Sequence, residues 1–229
     1  AAPVVAHMRQ EQNMSPAAHA HILQAALGHI PAHIQHVADY EACAREFIAD
    51  DIRHYIQSGS DQNLSLAANR RSFDQLALLP RVLRSVHEGH TRVHLFGHEH
   101  RAPLLLAPVA YHGLVHPDAE LATVQAAVAM QTAMVVSTLA SRRFMDIRRT
   151  AEAAAQELQR PVPSLWLQLY SQPTRAQTQA VLQAAAEANF DAIVWTVDAH
   201  YKRTAMALPV GVSAVNTDTE ALYKHTSQL

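Results

Sequence analysis

The chain has 229 residues, of which 49% are hydrophobic and 17% are charged, and its formal net charge is -2. This composition indicates a globular protein with a sizeable core, as one large domain or two small ones. The small net charge and the scattered Lys and Arg residues argue against nucleic acid as a partner. The longest charge-poor apolar stretch, 102–115, is shorter than a bilayer span, so no transmembrane segment is expected.

The single cysteine, Cys43, excludes an intramolecular disulfide and a cysteine zinc site. It also favours a reducing compartment, so the expected location is cytoplasmic. Sixteen histidines raise the question of a metal site, in particular the groups His29/His33/His36 and His94/His98/His100. Neither group has an HExxH pattern or a carboxylate at ligand spacing, so no metal site is predicted.

The N-terminal part of the chain is predicted to be helical. Residues 1–38, rich in Ala, His and Gln, are interpreted as an extension. Over 39–56 apolar positions recur every three or four residues, which predicts one amphipathic helix, and the turn residues of 58–63 end it. A second helix is predicted from residue 64 onward. Residues 39–100 are therefore predicted to form a helical segment that packs on the following domain.

Residues 101–229 begin with four short apolar runs at a regular interval, separated by alanine-rich segments of helical periodicity. The runs are APLLLAPVA (102–110), AMVVSTLAS (133–141), SLWLQLY (164–170) and DAIVWTVD (191–198). The helical segments are 118–131, 143–159 and 173–189, with Asp118 and Thr174 as expected N-caps. This alternation predicts an α/β fold of parallel βαβ units, either a doubly wound sheet or part of an eight-stranded barrel.

The ends of the runs favour the barrel. The chain has six glycines and none lies in a GxGxxG or P-loop pattern, which disfavours a nucleotide-binding doubly wound sheet. Instead each run ends in polar or proline-containing sequence, where barrel enzymes build their sites. Alternation predicts that Thr196 and Asp198 face the barrel mouth and that Trp195 faces outward onto the helices. Four strands cannot close a barrel, so the remaining strands are expected on a separate chain or missing.

Five ordered motifs resemble the FMN-dependent α-hydroxy-acid oxidase and dehydrogenase family, which includes glycolate oxidase and lactate oxidase. They are LALLPRVLRSV, LLLAPVAYHGLVHPDAELATVQAA, MVVSTLAS, WLQLYSQPTR and FDAIVWTVDAHYKR. The resemblance implies that 101–229 is the N-terminal half, about four βα units, of a (β/α)8 TIM barrel with FMN at its mouth. The implied reaction is oxidation of a 2-hydroxy acid to the 2-oxo acid.

The resemblance also implies roles for individual residues. The cofactor contacts would be Pro108, Val109 and Ala110 at the end of the first run, Ser137 in the second, Gln168 in the third and Thr196 in the fourth. Tyr170 would lie near the substrate hydroxyl as a catalytic and substrate-binding residue, and Tyr55 would help hold the substrate carboxylate. Asp198 would orient a catalytic histidine, and Arg203 would be a substrate-binding arginine. His116 is expected to be structural, and His112 is a candidate for shaping substrate preference.

Part of the family's machinery has no counterpart in these residues. The base histidine and clamp arginine of the HGGRQ motif, and the lysine near the flavin, are expected on a C-terminal half of the same protein. Residues 217–229 would lie in the mobile loop after the fourth strand. The resemblance further implies a homo-oligomer, a tetramer or an octamer. The alternative is a non-catalytic, flavin-free half-barrel that serves binding or assembly.

Overall fold

The computed structural model describes Ile22, Gln24 and residues 27–85, 87–198, 208–209 and 211–217. Six α-helices and six strands lie within these residues. In chain order they are α1 (Val37–Ala44), α2 (Asp50–Gln57), α3 (Leu64–Asp74), β1 (Val93–Leu95), β2 (His98–His100), β3 (Leu105–Leu106), α4 (Glu120–Met130), β4 (Ala133–Ser137), α5 (Phe144–Leu158), β5 (Leu165–Tyr170), α6 (Arg175–Glu187) and β6 (Ala192–Thr196).

A parallel sheet with strand order β3-β4-β5-β6 forms the main layer. Its neighbours pair in register, for example Val136 with Leu167 and Leu167 with Ile193. A helix connects each strand to the next, so the predicted βαβ units are confirmed. Because the strands run parallel, all four carboxyl ends lie at the same edge of the sheet.

The helix starts agree with the sequence at one position and differ at another. Thr174 caps α6, since its side chain accepts a hydrogen bond from the Gln177 amide in a capping box. The expected cap at Asp118 is wrong, because the N-cap of α4 is Ala119 and Asp118 accepts the Leu121 amide through its backbone carbonyl. None of the helices within the described residues is long and apolar enough to cross a membrane.

The N-terminal segment departs from the prediction in two ways. The single helix expected over 39–56 is two helices, α1 and α2, because Ile48 leaves the helical path to form an antiparallel bridge with Ile22. The strands β1 and β2 form a hairpin that was not predicted. Its turn is Phe96-Gly97, both with positive φ, which is the backbone that a two-residue hairpin requires.

The main core lies between the sheet and helices α4, α5 and α6. Apolar side chains from one face of β4 and β5 pack against the buried faces of these helices. Its fully buried members include Val136, Phe144, Ile147, Leu165 and Leu167. Burial of every residue in β4, and of all but Tyr170 in β5, is typical of parallel strands covered on both faces.

The last strand is far more exposed than its neighbours. Ile193 is 47% exposed and Trp195 is 63% exposed. The register pairs Trp195 with Leu169, which faces the helix layer, and pairs Thr196 with Tyr170 on the opposite face. The predicted directions of Thr196 and Trp195 are therefore confirmed, and that of Asp198, beyond the end of β6, stays a prediction. The predicted packing of Trp195 onto the helices is not observed, because its side chain stays largely exposed. Its indole Nε1 donates to Ser171 Oγ at 3.0 Å.

Candidate functional site

A hydrogen-bonded polar row crosses the carboxyl ends of three adjacent strands. Ser137 Oγ donates to Gln168 Oε1 at 3.2 Å, and Gln168 Nε2 donates to Thr196 Oγ1 at 2.7 Å. Ser137 and Gln168 are each 4% exposed, in a part of the sheet that is otherwise apolar. Parallel pairing produces this arrangement, because it places the ends of β4, β5 and β6 side by side. The structure thus brings together three of the residues predicted to bind the cofactor.

Thr138 supports this row from the position just after β4. Its Oγ1 donates to the Gln168 carbonyl at 2.5 Å and accepts the Tyr170 amide at 3.1 Å. The residue is fully buried. It therefore fixes the backbone on both sides of Leu169 relative to β4. The sequence gave Thr138 no role, since only the register reveals its partners.

The connection after β3 contains the other predicted cofactor residues. Pro108 and Val109 are exposed, Val109 by 57%, while Ala110 is half-buried. The next residue, Tyr111, has φ 55 and donates its amide to the Leu139 carbonyl at 3.1 Å. This bond joins the β3 connection to the β4 connection, so Pro108–Ala110 lie beside the end of β4 rather than apart from it.

An apolar cluster lines the same edge of the sheet. Its buried members are Ile52, Tyr111, Leu114, Leu139, Val212 and Ala214. The partly buried residues Tyr55, Ala110 and Tyr170 pack against it. The cluster therefore brings Tyr55 from α2 to the edge that carries Tyr170.

Residues 211–217 return over this edge and are bonded to it. Val215 N donates to the Ala140 carbonyl at 3.3 Å, and Asn216 Oδ1 accepts the Phe144 amide at 3.2 Å. Asn216 Nδ2 also donates to the Arg142 carbonyl at 2.9 Å, and Thr217 Oγ1 donates to Gln172 Oε1. This segment covers the connections after β4 and β5, a role that the sequence did not reveal.

A buried glutamate and a histidine lie behind the β3 connection. Glu120 is 1% exposed, and its Oε1 accepts the His112 and Ser141 amides. His112 Nδ1 lies 2.9 Å from Thr123 Oγ1. Burial lowers the pKa of His112 from its usual 6.5, while the Glu120 charge and a hydrogen bond with the Val109 backbone oppose the shift. Glu120 was missed because a glutamate at a helix start is ordinarily an exposed partner of the helix dipole.

Two predicted residues are not joined to the row. Asp198 is exposed just beyond β6, two residues from Thr196. Arg203 lies outside the described residues. His116 has a local bond, since its Nδ1 accepts the Asp118 amide at 3.1 Å, which fits the structural role expected for it. The described residues contain no group of three or more side chains able to hold a metal ion.

The chain is similar to curated enzymes that act on hydroxy acids. It is 42% identical over 170 residues to an L-lactate oxidase of Alicycliphilus denitrificans, which covers 74% of this chain and 44% of the relative. It is 35% identical to human 2-hydroxyacid oxidase 2 over 162 residues, with 71% and 44% covered. A 4-hydroxymandelate oxidase of Amycolatopsis orientalis is 32% identical over 189 residues, with 80% and 50% covered. The chain spans about half the length of the curated relatives it matches.

Solved structures agree with the sequence relatives. Mandelate oxidase with (S)-4-hydroxymandelic acid superposes with a TM-score of 0.71 at 30% identity, covering 83% of this chain and 56% of that one. The fold is therefore α/β, and its four-stranded parallel sheet covers part of the TIM barrel of those enzymes. A family model described as FMN-dependent dehydrogenase matches residues 44–222, which include every strand of the sheet. The polar row and its connections thus lie within the matched region, and the chain belongs to the FMN-dependent dehydrogenase family.

Proposed function

We propose that this chain supplies the FMN-binding face of an enzyme that oxidises a 2-hydroxy acid to the 2-oxo acid. The observation that carries the proposal is the Ser137–Gln168–Thr196 row at the carboxyl edge of the sheet. Barrel enzymes place their chemistry at this edge. The relatives named as hydroxy-acid oxidases support the substrate class.

The donors and acceptors of the row suit the polar edge of a flavin ring. That edge carries two carbonyl oxygens with an N–H between them, so it requires donors and an acceptor in alternation. Gln168 offers a second amide hydrogen and an amide oxygen. Thr196 accepts the Gln168 amide, so its own hydroxyl hydrogen points away from Gln168. These groups therefore fit FMN, and the Pro108–Ala110 backbone would lie along the ring.

The bound FMN would supply the acceptor for the hydride equivalents that leave the substrate α-carbon. On the substrate side, Tyr170 and Tyr55 pack against one apolar cluster, which sets their hydroxyl groups on a common rigid base. We assign Tyr170 to the substrate hydroxyl and Tyr55 to the substrate carboxylate. Asp198 would orient the histidine base, and Arg203 would add a carboxylate contact.

We further propose that the base histidine, the clamp arginine and the flavin lysine come from a C-terminal portion of the same protein. Exposed apolar side chains support a covering partner. In β6, Ile193 and Trp195 are 47% and 63% exposed. Before the hairpin, Leu78 is 99% exposed and Leu83 is 102% exposed. Ile193 and Trp195 lie two residues apart on one face of β6, and neighbouring exposed apolar residues of this kind mark surfaces that bind other protein segments.

A visible spectrum and an intact mass of the same purified sample test the proposal. We expect flavin absorbance that is bleached by a 2-hydroxy acid without oxygen, and a polypeptide mass that accounts for the C-terminal portion. Acid release followed by chromatography would identify the flavin as FMN. A colourless protein whose mass contains only these 229 residues would instead support the flavin-free half-barrel.

We also propose that the complete protein is a homo-oligomer, a tetramer or an octamer. Light scattering of the flavin-loaded protein tests this, and a monomer would contradict it. A cytoplasmic location remains a prediction from the single cysteine.

A further inference from the structure

A buried glutamate joins the two connections that carry the proposed flavin contacts. Glu120 is the first residue of α4, and its side chain is buried. Its Oε1 accepts the His112 amide at 3.2 Å and the Ser141 amide at 2.9 Å. His112 lies in the connection after β3 and Ser141 in the connection after β4. One carboxyl oxygen therefore links consecutive strand-to-helix connections.

The two connections also approach each other closely beside this oxygen. The Gly113 amide donates to Ser141 Oγ at 3.1 Å. A Cβ atom on Gly113 would lie 3.1 Å from the same oxygen and 3.3 Å from the Ser141 Cβ, tighter than ordinary contact. Glycine is therefore suited to this position, because the absence of a Cβ atom lets the two connections approach closely.

The His112 ring extends this link to the proposed flavin lining. The Val109 backbone lies beside the ring and raises its pKa, and the ring Nδ1 lies 2.9 Å from Thr123 Oγ1 on α4. Glu120 holds the backbone of the same histidine. The chain of contacts thus runs from α4 through His112 to the segment Pro108–Ala110.

Glu120 is an unfavourable residue for packing alone. Its Oε2 is buried and has no hydrogen-bond partner among the described residues. A buried carboxyl group with an unsatisfied oxygen opposes folding, whereas an apolar side chain of similar size would not. Oε1 accepts two backbone amides, which an apolar side chain could not do, and this explains why a carboxyl group occupies the position.

We propose that Glu120 is a positioning residue that, with His112, fixes the Pro108–Ala110 backbone relative to Ser137. The proposal rests on the proposed FMN site, because these are the residues that would line it. Glu120 acts through the two connections and not by touching the flavin or the substrate.

Two substitutions in the complete flavin-loaded protein test this role. Glu120→Ala removes the acceptor of both amides, and Glu120→Gln keeps an oxygen for them. We expect Glu120→Ala to raise the Kd for FMN about tenfold and to shift the visible flavin spectrum. We expect Glu120→Gln to restore the parent spectrum and a Kd within about threefold of the parent. Glu157→Ala, on the exposed end of α5, is the matched control and should leave both unchanged.

The outcomes separate the two proposals. A folded Glu120→Ala protein with the parent Kd and spectrum overturns the positioning role, and so does one that loses only thermal stability. If Glu120→Ala does not fold, His112→Ala takes its place, since it removes the Val109 contact and leaves the amides bonded to Glu120. An unchanged Kd and spectrum for that variant overturn the role equally. If the parent protein binds no FMN, the proposed function fails and this inference fails with it.

Discussion

Gln168 reaches forward along the sheet to Thr196, although the strand register pairs it with Val194. The Nε2 to Oγ1 distance is 2.7 Å, and the backbone partner of Thr196 is Tyr170. The Gln168 side chain therefore leans toward the carboxyl end of its strand. This lean brings the amide to the edge of the sheet, where parallel-barrel chemistry takes place.

Removal of the Gln168 amide should weaken FMN binding more than it weakens the fold. Gln168→Ala breaks the bonds to Ser137 and Thr196 and removes the proposed flavin contact. The expected loss is about 1–3 kcal/mol of binding free energy, or a roughly 5- to 150-fold higher Kd for FMN by fluorescence titration. Gln179→Ala on the exposed surface of α6 is the control. Equal Kd values for the two variants would contradict the flavin role of Gln168.

Much of the barrel segment could be predicted from its pattern. The runs at 133–141, 164–170 and 191–198 contain β4, β5 and β6, because buried parallel strands are continuous apolar stretches bounded by turn residues. The positions of Ser137, Gln168 and Thr196 followed from the same pattern, since side-chain alternation and parallel pairing fix which residues meet at one edge.

The parts that could not be predicted depend on tertiary contacts. The break between α1 and α2 follows from a bridge between Ile48 and Ile22, which helical periodicity does not contain. The hairpin strands β1 and β2 have three residues each and lie in a histidine-rich stretch without a clear strand pattern. Glu120 and Thr138 act through amides distant in sequence, so residue type alone gave them no role.

The core prediction concerns Leu167, which is fully buried between the sheet and the helices. Leu167→Ala should lower the free energy of unfolding by about 2–5 kcal/mol, because it leaves a cavity in a close-packed interior. Urea unfolding followed by circular dichroism measures this. Leu158→Ala, at a position 45% exposed at the end of α5, removes the same atoms with little cavity and should cost far less. Similar losses for both variants would show that the helix layer is not tightly packed.

The lowered pKa of His112 predicts how stability depends on pH. The pKa is below its usual 6.5 in the folded state, chiefly because burial disfavours the charged ring. Between the folded value and 6.5 the unfolded chain binds more protons, so unfolding is favoured as pH falls through this window. This loss of stability is absent above pH 6.5 and complete below the pKa that His112 has in the folded state.

His112→Gln removes this titration and provides the test. The unfolding temperature of the parent should fall as the pH is reduced below 6.5. The unfolding temperature of the variant should fall less over the same pH interval. Above that pH, the difference in unfolding temperature between the two proteins measures the loss of stability caused by the substitution itself. A parent and variant with parallel pH profiles would show that another group controls the acid sensitivity.

Tyr170 provides the test of the substrate side of the site. It ends β5, packs against the apolar cluster with Tyr55, and has its amide held by Thr138. Tyr170→Phe keeps this packing and removes only the hydroxyl group. If the hydroxyl group bonds the reacting substrate, kcat/KM should fall roughly 10- to 150-fold, the effect of about 1.5–3 kcal/mol from a hydrogen bond to a charged group. A larger fall in kcat than rise in KM would place the contact in the transition state. The control is Tyr40→Phe, at a position that is 48% exposed. Steady-state kinetics with a 2-hydroxy acid that match the parent would remove Tyr170 from the catalytic residues.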